Sequence, residues 1–385
     1  MKAAVFHKSG DIRYENFADP RLEHPRDAVI RVTAASINGS DLHIFHGNFP
    51  QARQLILGQE FCGVIEELGT EVGHFKKGDR VAVPFSIACG RCYFCRRGVP
   101  TGCELSNKAN YGPEGGVIMH KGGGLFGYSD LYGAYHGGQA QYVRVPFADY
   151  GLRKIPDKIS DEEAVFLGDI LPAAWAGVEK TGVQAGDTVA VFGCGALGIM
   201  VQKLAKIRGA SRVIGIDVNP YRLQMAKELA GAEVIDASKV DAAEVVIELT
   251  QGHGADICVD AVGMEARTNV AERISNALHV QSGTSKIVGQ ALSAVRRGGS
   301  MAILGMYATS YDAFPLGQWM DKGVRIWAGQ APVHNYIDLL MGLVESQRIR
   351  ASDLITHRFS LDQIENAYAI FSKRDNSCLK VLLRP

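Results

Sequence analysis

A glycine-rich turn between a strand and a helix constrains the fold of this chain more than any other feature of its sequence. Gly193, Gly195 and Gly198 form a G-x-G-x-x-G pattern directly after an apolar, strand-like run at residues 188–192, and they open a helical stretch that runs through Ile207. The first glycine permits a tight turn, the second lets the backbone approach a pyrophosphate, and the third allows close helix–strand packing. This context predicts a doubly wound α/β unit that binds a dinucleotide.

The residues around the turn favour NAD as that dinucleotide. Ala196 and Leu197 complete the turn, and the start of the helix offers unpaired N–H groups to phosphates. Asp217 ends the next predicted strand, nineteen residues after Gly198, where a carboxylate would bind the ribose hydroxyls and repel the 2′-phosphate of NADP. Arg222 is a candidate for the adenosine end, with an exposed helix arginine as the simpler interpretation. A flavodoxin-like turn without a nucleotide is the alternative for the whole pattern.

The pattern of the other segments predicts two domains. Residues 1–150 hold short alternating or β-branched runs between Gly, Pro and Asp turns, as in a mostly β domain. From Asp161 onward strand and helix patterns alternate, which is typical of a parallel sheet covered on both faces. A glycine-rich segment at 115–138 is either a plain surface loop or the rim of a cleft, and 264–288 looks like an insertion. The predicted strands are 28–33, 63–68, 80–83, 188–192, 212–216, 257–260 and 301–304, and predicted helices begin at 162 and cover 222–230.

Composition argues against nucleic acid and membrane partners. Forty-one basic residues balance forty-one acidic residues, so charge favours neither nucleic acid nor an anionic membrane. No apolar run approaches the roughly 18–20 uncharged residues that a membrane span needs. The first residues lack the apolar centre of a signal peptide. We therefore expect a cytoplasmic location.

Four of the eight cysteines have the spacing of a metal site. Cys89, Cys92, Cys95 and Cys103 stand in a C-x2-C-x2-C-x7-C pattern. Four thiolates suit a tetrahedral structural zinc with no open position. The alternatives are an iron–sulfur cluster, which nothing else in the sequence supports, and a pair of disulfides, which fits a cytoplasmic protein badly. We expect one structural zinc in a lobe at residues 89–103.

Four stretches together resemble the zinc-containing alcohol dehydrogenases of the medium-chain dehydrogenase/reductase family: residues 36–43, residues 57–60, the cysteine lobe and the glycine turn. Asp169, together with residues 125–128 and 137–143, is similar to the glutathione-independent formaldehyde dehydrogenase branch. The resemblance implies a GroES-like, mostly β catalytic domain at 1–170 and 332–385, and a Rossmann domain at 171–331. It also implies a small-molecule substrate and a homodimer or homotetramer.

The resemblance further implies a catalytic zinc, whose ligands this sequence alters. The family has Cys at the position of Asn38 and His at the position of Gln59. Its third ligand is either Cys or an acidic residue, and Asp169 matches the form found in the formaldehyde dehydrogenase branch. Amides are poor zinc donors beside thiolate and imidazole, so we expect weak zinc binding or none. Together with Glu60, these residues would form an all-oxygen set suited to a hard ion. Without a dication to neutralise them, Glu60 and Asp169 would share one proton.

Ser40 and His43 stand where the family has a relay that passes a proton from a hydroxyl to an imidazole. Taken singly, Asn38, Gln59, Ser40 and His43 fit loop or structural roles equally well. Their joint register with the family motif favours a catalytic role, and a decayed site is the alternative for the whole pocket.

Three functional hypotheses follow from the sequence. The first is an NAD-dependent oxidoreductase that moves hydride between the nicotinamide and a carbon held near Asn38, Ser40 and Gln59, without catalytic zinc. Its substrate would be an alcohol, aldehyde, ketone or activated alkene. The second is a zinc-dependent alcohol or aldehyde dehydrogenase with a disabled or rebuilt metal site. The third is a non-catalytic NAD-binding sensor.

Overall fold

The computed structural model describes residues 1–49, 51, 54–107, 122–263, 285–307, 314–373 and 377–385. Part of the predicted glycine-rich segment, 115–121, and most of the predicted insertion, 264–284, lie outside these residues. The chain divides into two compact units. The first unit comprises Met1–Pro172 and Ala331–Pro385, and the second comprises Ala173–Gln330.

The strands, numbered in chain order, are Lys2–Lys8 (β1), Asp11–Asn16 (β2), Ala28–Ile37 (β3), Leu55–Ile56 (β4), Phe61–Leu68 (β5), Arg80–Val83 (β6), Tyr142–Val145 (β7), Arg153–Lys154 (β8), Thr188–Phe192 (β9), Arg212–Asp217 (β10), Glu233–Asp236 (β11), Ala255–Asp260 (β12), Val295–Ile303 (β13), Arg325–Ala328 (β14), His357–Ser360 (β15) and Val381–Arg384 (β16). Each predicted strand overlaps an observed one. Strand β3 continues four residues past the predicted end, because Ala34, Ala35, Ser36 and Ile37 are buried and paired with neighbouring strands.

The α-helices are Gly39–Phe45 (α1), Tyr93–Arg96 (α2), Ala148–Gly151 (α3), Asp161–Ala164 (α4), Ile170–Thr181 (α5), Ala196–Ile207 (α6), Pro220–Ala230 (α7), Ala242–Leu249 (α8), Lys286–Ala294 (α9), Leu316–Lys322 (α10), Ile337–Glu345 (α11) and Ile364–Lys373 (α12). Short 3₁₀ turns lie at Pro100–Gly102, Asp130–Tyr132, Val165–Gly168, Val333–Asn335, Ser352–Leu354 and Leu361–Gln363. No helix in the described part of the chain is long and apolar enough to span a bilayer.

The first unit is built on β-sheets. In its described part the larger sheet has the order β15-β16-β3-β5-β6-β8, with β7 also paired to β3, and a smaller sheet has the order β2-β1-β4. Strand β16 runs antiparallel to β3, with Val381 opposite Ile37 and Leu383 opposite Ala35. This pairing joins the beginning of the sequence to a segment more than three hundred residues later, and it positions the polar residues described below.

The second unit is a parallel sheet of order β11-β10-β9-β12-β13-β14, which is the Rossmann arrangement of two mononucleotide-binding halves. All of its strand pairs are parallel. Its central strands are buried apolar runs and the helices between them pack on the sheet faces, as at Ala190, Ile214, Cys258 and Leu292. The predicted doubly wound α/β unit is therefore confirmed.

Candidate active site and nucleotide site

Two glycines of the turn occupy positions that a larger residue would disrupt. Gly193 has φ of +97°, and a Cβ there would lie 2.8 Å from Val262 Cγ2. A Cβ on Gly198 would lie 1.9 Å from the carbonyl oxygen of Gly193, which is far inside contact distance. Helix α6 can approach strand β9 this closely only because both residues lack side chains.

The third glycine faces open space at the start of a helix. Gly195 precedes Ala196 and Leu197 as the N-cap of α6, and a Cβ placed on it would meet no atom within 4 Å. The first N–H groups of a helix have no partner within the helix and attract anions. The turn therefore offers backbone N–H donors to a phosphate, and the space beside Gly195 is open.

Asp217 ends β10 beside this turn. Its carboxylate accepts hydrogen bonds from the backbone N–H groups of Cys194 (2.7 Å), Val218 (2.7 Å) and Asn219 (3.0 Å). Three donors fix the orientation of the carboxylate and leave lone pairs for ligand hydroxyls. Arg222, expected on an exposed helix face, is instead half-buried in α7, and its Nε is buried without a hydrogen-bond partner among the described residues.

The four predicted metal cysteines lie together. Their sulfur atoms are all within 4.8 Å of one another, and among the described residues no other group of three or more His, Cys, Asp or Glu side chains meets this criterion. The backbone N–H groups of Arg91 and Cys92 point at Cys89 Sγ, at 3.4 and 3.3 Å, as suits a thiolate. The cluster can hold a tetrahedral metal ion.

Asn38 is held at the start of α1 by a buried carboxylate. Its backbone is extended, and its N–H donates to Asp41 in the first turn at 2.8 Å. Asp41 also accepts from the Gly58 N–H at 3.1 Å, so one carboxylate joins α1 to the loop that carries Gln59. Gln139 donates to the Asp41 carboxylate at 3.4 Å and accepts from the hydroxyl of Tyr368 at 2.9 Å.

The side-chain amide of Asn38 lies between the Asp169 carboxyl and the Lys380 ammonium. Its Nδ2 donates to Asp169 at 2.6 Å, and its Oδ1 accepts a hydrogen bond from the ammonium of Lys380. The opposite amide orientation would aim N–H groups at the ammonium and an oxygen at the carboxylate. The Lys380 ammonium therefore fixes which way the amide points.

Lys380 also forms a buried ion pair with Glu60. Its Nζ lies 2.8 Å from Glu60 Oε2, and the side chains of Lys380 and Glu60 are 1% and 0% exposed. Glu60 additionally accepts from the Ser36 hydroxyl and, at 3.0 Å, from the Ile170 N–H. The buried charges of Lys380 and Glu60 are therefore both compensated by hydrogen bonds and by each other.

This arrangement corrects one expectation about the altered pocket. Asn38, Gln59, Glu60 and Asp169 do not assemble into an oxygen cage for a hard ion, because Asn38 Oδ1 and a Glu60 oxygen both face the Lys380 ammonium. Whether Glu60 and Asp169 share a proton stays a prediction. The Lys380 ammonium faces the oxygens that the sequence predicted would bind a metal ion from solution.

The remaining predicted residues are close in sequence to this network. Gln59 is 5% exposed and its amide makes no hydrogen bond to another described residue. Ser40 is half-buried and His43 is buried, three residues apart on α1, and the His43 ring packs edge-on against Phe49 with ring centroids 6.1 Å apart. Their roles stay predictions.

Burial raises the pKa of two acids in this cluster. The pKa of Asp169 rises to about 8, first because its carboxylate loses water and second because Glu60 is negative; the Lys380 charge and the Asn38 hydrogen bond oppose the rise. Burial likewise raises the pKa of Asp41 to about 7, against the hydrogen bond from Asn38 and the charge of Lys380. Both carboxyls carry protons more readily than exposed ones.

Lys380 was missed by sequence reasoning. The available signal was a single charge inside an otherwise apolar strand pattern, Cys378-Leu379-Lys380-Val381-Leu382-Leu383. A lysine in such a run is almost never buried without a partner. Naming that partner requires the pairing of β16 with β3, which places Lys380 next to Asn38.

Comparison with known proteins extends this description. Residues 24–157 match the alcohol dehydrogenase GroES-like domain, and residues 196–278 match the zinc-binding dehydrogenase family. The chain is 38% identical, over 100% of both proteins, to an uncharacterized zinc-type alcohol dehydrogenase-like protein, AdhB, of Bacillus subtilis. It is 32% identical to the glutathione-independent formaldehyde dehydrogenase of Pseudomonas aeruginosa, over 96% of this chain and 94% of that protein. Alcohol dehydrogenase TADH from Thermus sp. ATN1 has a similar structure, with a TM-score of 0.86, 34% identity and coverage of 100% of this chain and 99% of that one.

The fold and the glycine turn define a nucleotide-dependent oxidoreductase. With these relatives, the chain belongs to the zinc-type alcohol dehydrogenases of the medium-chain dehydrogenase/reductase family. The predicted family, the GroES-like and Rossmann fold class and the NAD-dependent oxidoreductase class are confirmed. Replacement of the zinc ligands stays a prediction.

The raised pKa of Asp169 predicts a pH dependence of stability. Its folded pKa of about 8 exceeds the ordinary 3.8, so between about pH 4 and pH 8 the folded protein holds a proton that the unfolded chain has lost. The stability that this bound proton contributes is fully present below about pH 4 and is lost as the pH rises through 8. In Asp169→Asn, the amide oxygen at position 169 still accepts the hydrogen bond from Asn38, but the side chain at this position no longer titrates. We expect the fall in unfolding free energy between pH 6 and pH 9, measured with urea, to be smaller in this variant.

The exposed-site variant Glu228→Gln is the control and should fall with pH as the wild type does. An equal fall in Asp169→Asn and wild type would show that Asp169 is ionised throughout this range.

Proposed function

We propose that this protein is an NAD(H)-dependent oxidoreductase that moves hydride to or from an alcohol, aldehyde, ketone or activated alkene without a catalytic zinc. The observation that carries the proposal is the buried network of Asp169, Asn38, Lys380 and Glu60. Asn38 stands at a position where the family resemblance implies a metal ligand, and its amide oxygen accepts a hydrogen bond from the Lys380 ammonium. Because Asn38 Oδ1 already bonds a cation and no thiolate joins this set, these residues do not fit zinc.

The cofactor would be held by the second unit. The backbone N–H groups that follow Gly195 would hold the pyrophosphate, and the Asp217 carboxylate would bind the adenosine ribose. When bound, the nicotinamide supplies the hydride acceptor or donor. The negative charge of Asp217 disfavours a 2′-phosphate, which supports NAD over NADP.

In the first unit, hydrogen-bond donors would replace the Lewis acid. Asn38 uses one N–H on Asp169 and keeps a second, while Gln59 and Ser40 add an amide and a hydroxyl. One well-placed oxyanion donor contributes roughly 3 kcal/mol, against the several kcal/mol that a metal ion supplies. The balance favours substrates that need little activation, such as reactive aldehydes, activated ketones and conjugated alkenes. Ser40 and His43 would carry the proton to or from the substrate oxygen.

The cysteine cluster would hold one structural zinc. Cys89, Cys92, Cys95 and Cys103 supply four thiolates and leave no open coordination position, so the ion would brace its lobe and take no part in the reaction. No disulfide joins any of the eight cysteines, all of which lie among the described residues; this suits a reducing compartment and supports a cytoplasmic location.

Turnover and metal content, measured on one preparation, test the proposal. We expect about one zinc per chain, in the cysteine cluster. We also expect NADH oxidation with at least one class among aldehydes, ketones and enones, at a rate that added zinc does not raise. Cys103→Ser should lose the zinc. Two zinc ions per chain and zinc-dependent turnover would instead support the rebuilt metal site, and tight NADH binding without any turnover would support the sensor.

Cofactor preference tests the role of Asp217. Replacing Asp217 with Asn removes the negative charge and keeps the size, so repulsion of a 2′-phosphate falls. We expect the ratio of kcat/KM for NADP to that for NAD to rise at least about tenfold, which corresponds to about 1.4 kcal/mol. Glu228→Gln, an exposed change on the next helix, should leave the ratio alone. An unchanged ratio in Asp217→Asn would mean that another group selects the cofactor.

We also infer a homo-oligomer, either a dimer or a tetramer. In the described part of the sheet β14 is an edge strand, and α10 beside it exposes Leu316 (61%) and Met320 (82%). An open edge beside apolar side chains is a surface that a second copy of the chain would cover. Light scattering should give two or four chains, and Met320→Glu with Leu316→Glu should yield a smaller species. A monomeric wild type would contradict this.

A further inference from the structure

Lys380 has no stated role of its own in the proposed reaction, although its contacts lie at the centre of the pocket. Strand register places it beside Asn38, and its ammonium is shared between Asn38 Oδ1 and Glu60 Oε2. The ring of Phe166 lies 5.7 Å from the nitrogen, on another side. The ammonium is thus enclosed by an amide, a carboxylate and an aromatic ring, and with 1% exposure its side chain is withdrawn from solvent.

The amide between Lys380 and Asp169 has one donor left. A primary amide offers two N–H donors, and its oxygen accepts two hydrogen bonds. Asn38 Oδ1 accepts from Lys380, and one Nδ2 hydrogen goes to Asp169. No other described residue accepts from Nδ2, so the second N–H is available to a ligand. Its direction is fixed because the amide oxygen faces the Lys380 ammonium and the other N–H faces Asp169.

We propose that Lys380 is a positioning residue for the reaction: it orients and polarises the Asn38 amide so that the free N–H of Asn38 binds the substrate oxygen. This rests on the proposed hydride transfer. When hydride is delivered to a carbonyl carbon, negative charge builds on the oxygen, and a preorganised donor stabilises it. An ammonium bonded to the amide oxygen draws electron density from the nitrogen and makes its N–H a stronger donor.

The Lys380 ammonium also offsets the negative charge of the acidic groups near Asn38. Glu60, Asp169 and Asp41 place three acidic groups around one amide, and Lys380 is the cation that contacts this group. Without the ammonium, Glu60 would lose its ion pair and the amide would be free to turn its oxygen toward the substrate. An oxygen in that place repels a developing oxyanion. Lys380 therefore supports the rate of reaction, and substrate binding depends on it less.

A double-mutant cycle tests the assignment. Lys380→Met and Asn38→Ala are made singly and together, and kcat and KM are measured with NADH and the best carbonyl substrate. Asn38→Ala should lower kcat roughly 100-fold, the loss of one oxyanion donor. Lys380→Met should lower kcat at least about tenfold, as part of that same loss, with little change in KM. Added to Asn38→Ala, it should change kcat less than about twofold.

Three further variants exclude a general effect on folding. Lys380→Arg keeps the charge and should recover most of kcat. Lys380→Met with Glu60→Gln leaves no unpaired charge, so it should melt close to the wild type yet keep the low kcat. Lys158→Met removes an exposed lysine of the same unit and should change neither quantity.

The outcomes separate the two proposals. If the wild type turns over substrate and Lys380→Met keeps its kcat, the positioning role is wrong and the proposed function stands. If the effects of Lys380→Met and Asn38→Ala on kcat multiply, Lys380 does not act through Asn38 and the role is again wrong. If the wild type turns over no substrate in the panel, the proposed function is wrong and this role falls with it.

Discussion

The antiparallel pairing of β16 with β3 brings distant segments of the chain into one buried contact. Because Val381 lies opposite Ile37, the next residues along, Lys380 and Asn38, also become neighbours. The amide then reaches Asp169 and the ammonium reaches Glu60. A shift of one residue in this register would turn the lysine to the other face of the sheet and leave Glu60 without its ion pair. The chemistry of the pocket therefore depends on a backbone alignment.

The pocket shows how a buried charge is held by protein groups, in the ion pair of Lys380 and Glu60. Burying an ion pair gains little stability, and breaking one costs more than the pair itself contributes. What the pair provides here is a single arrangement of donors and acceptors around Asn38. A zinc site defines geometry through coordination bonds, whereas this one does so through hydrogen bonds that must all be satisfied together. Such a network tolerates few changes at Asn38, Glu60 or Lys380.

Local sequence patterns were enough to predict the second unit and the cysteine cluster. The apolar run Thr188–Phe192 is followed by glycines at fixed spacing, and the four cysteines are close in sequence. Each pattern could therefore be recognised within one short segment of the chain. The network around Asn38 could be predicted only in part. Asn38, Gln59 and Asp169 were found by resemblance, but the sequence does not state that β16 pairs with β3. Lys380 and the true orientation of the Asn38 amide depend on that pairing.

The separation of Lys380 from Asn38 by 342 residues has a consequence for biosynthesis. At translation rates of about 5–20 residues per second, Asn38 is made roughly 20 to 70 seconds before Lys380. During that interval the nascent chain contains the acids of the pocket without their lysine, and β3 lacks one of its neighbours. The nucleotide-binding unit, encoded between them, has time to fold first. The strand that completes the sheet and its pocket is thus made after the nucleotide-binding unit.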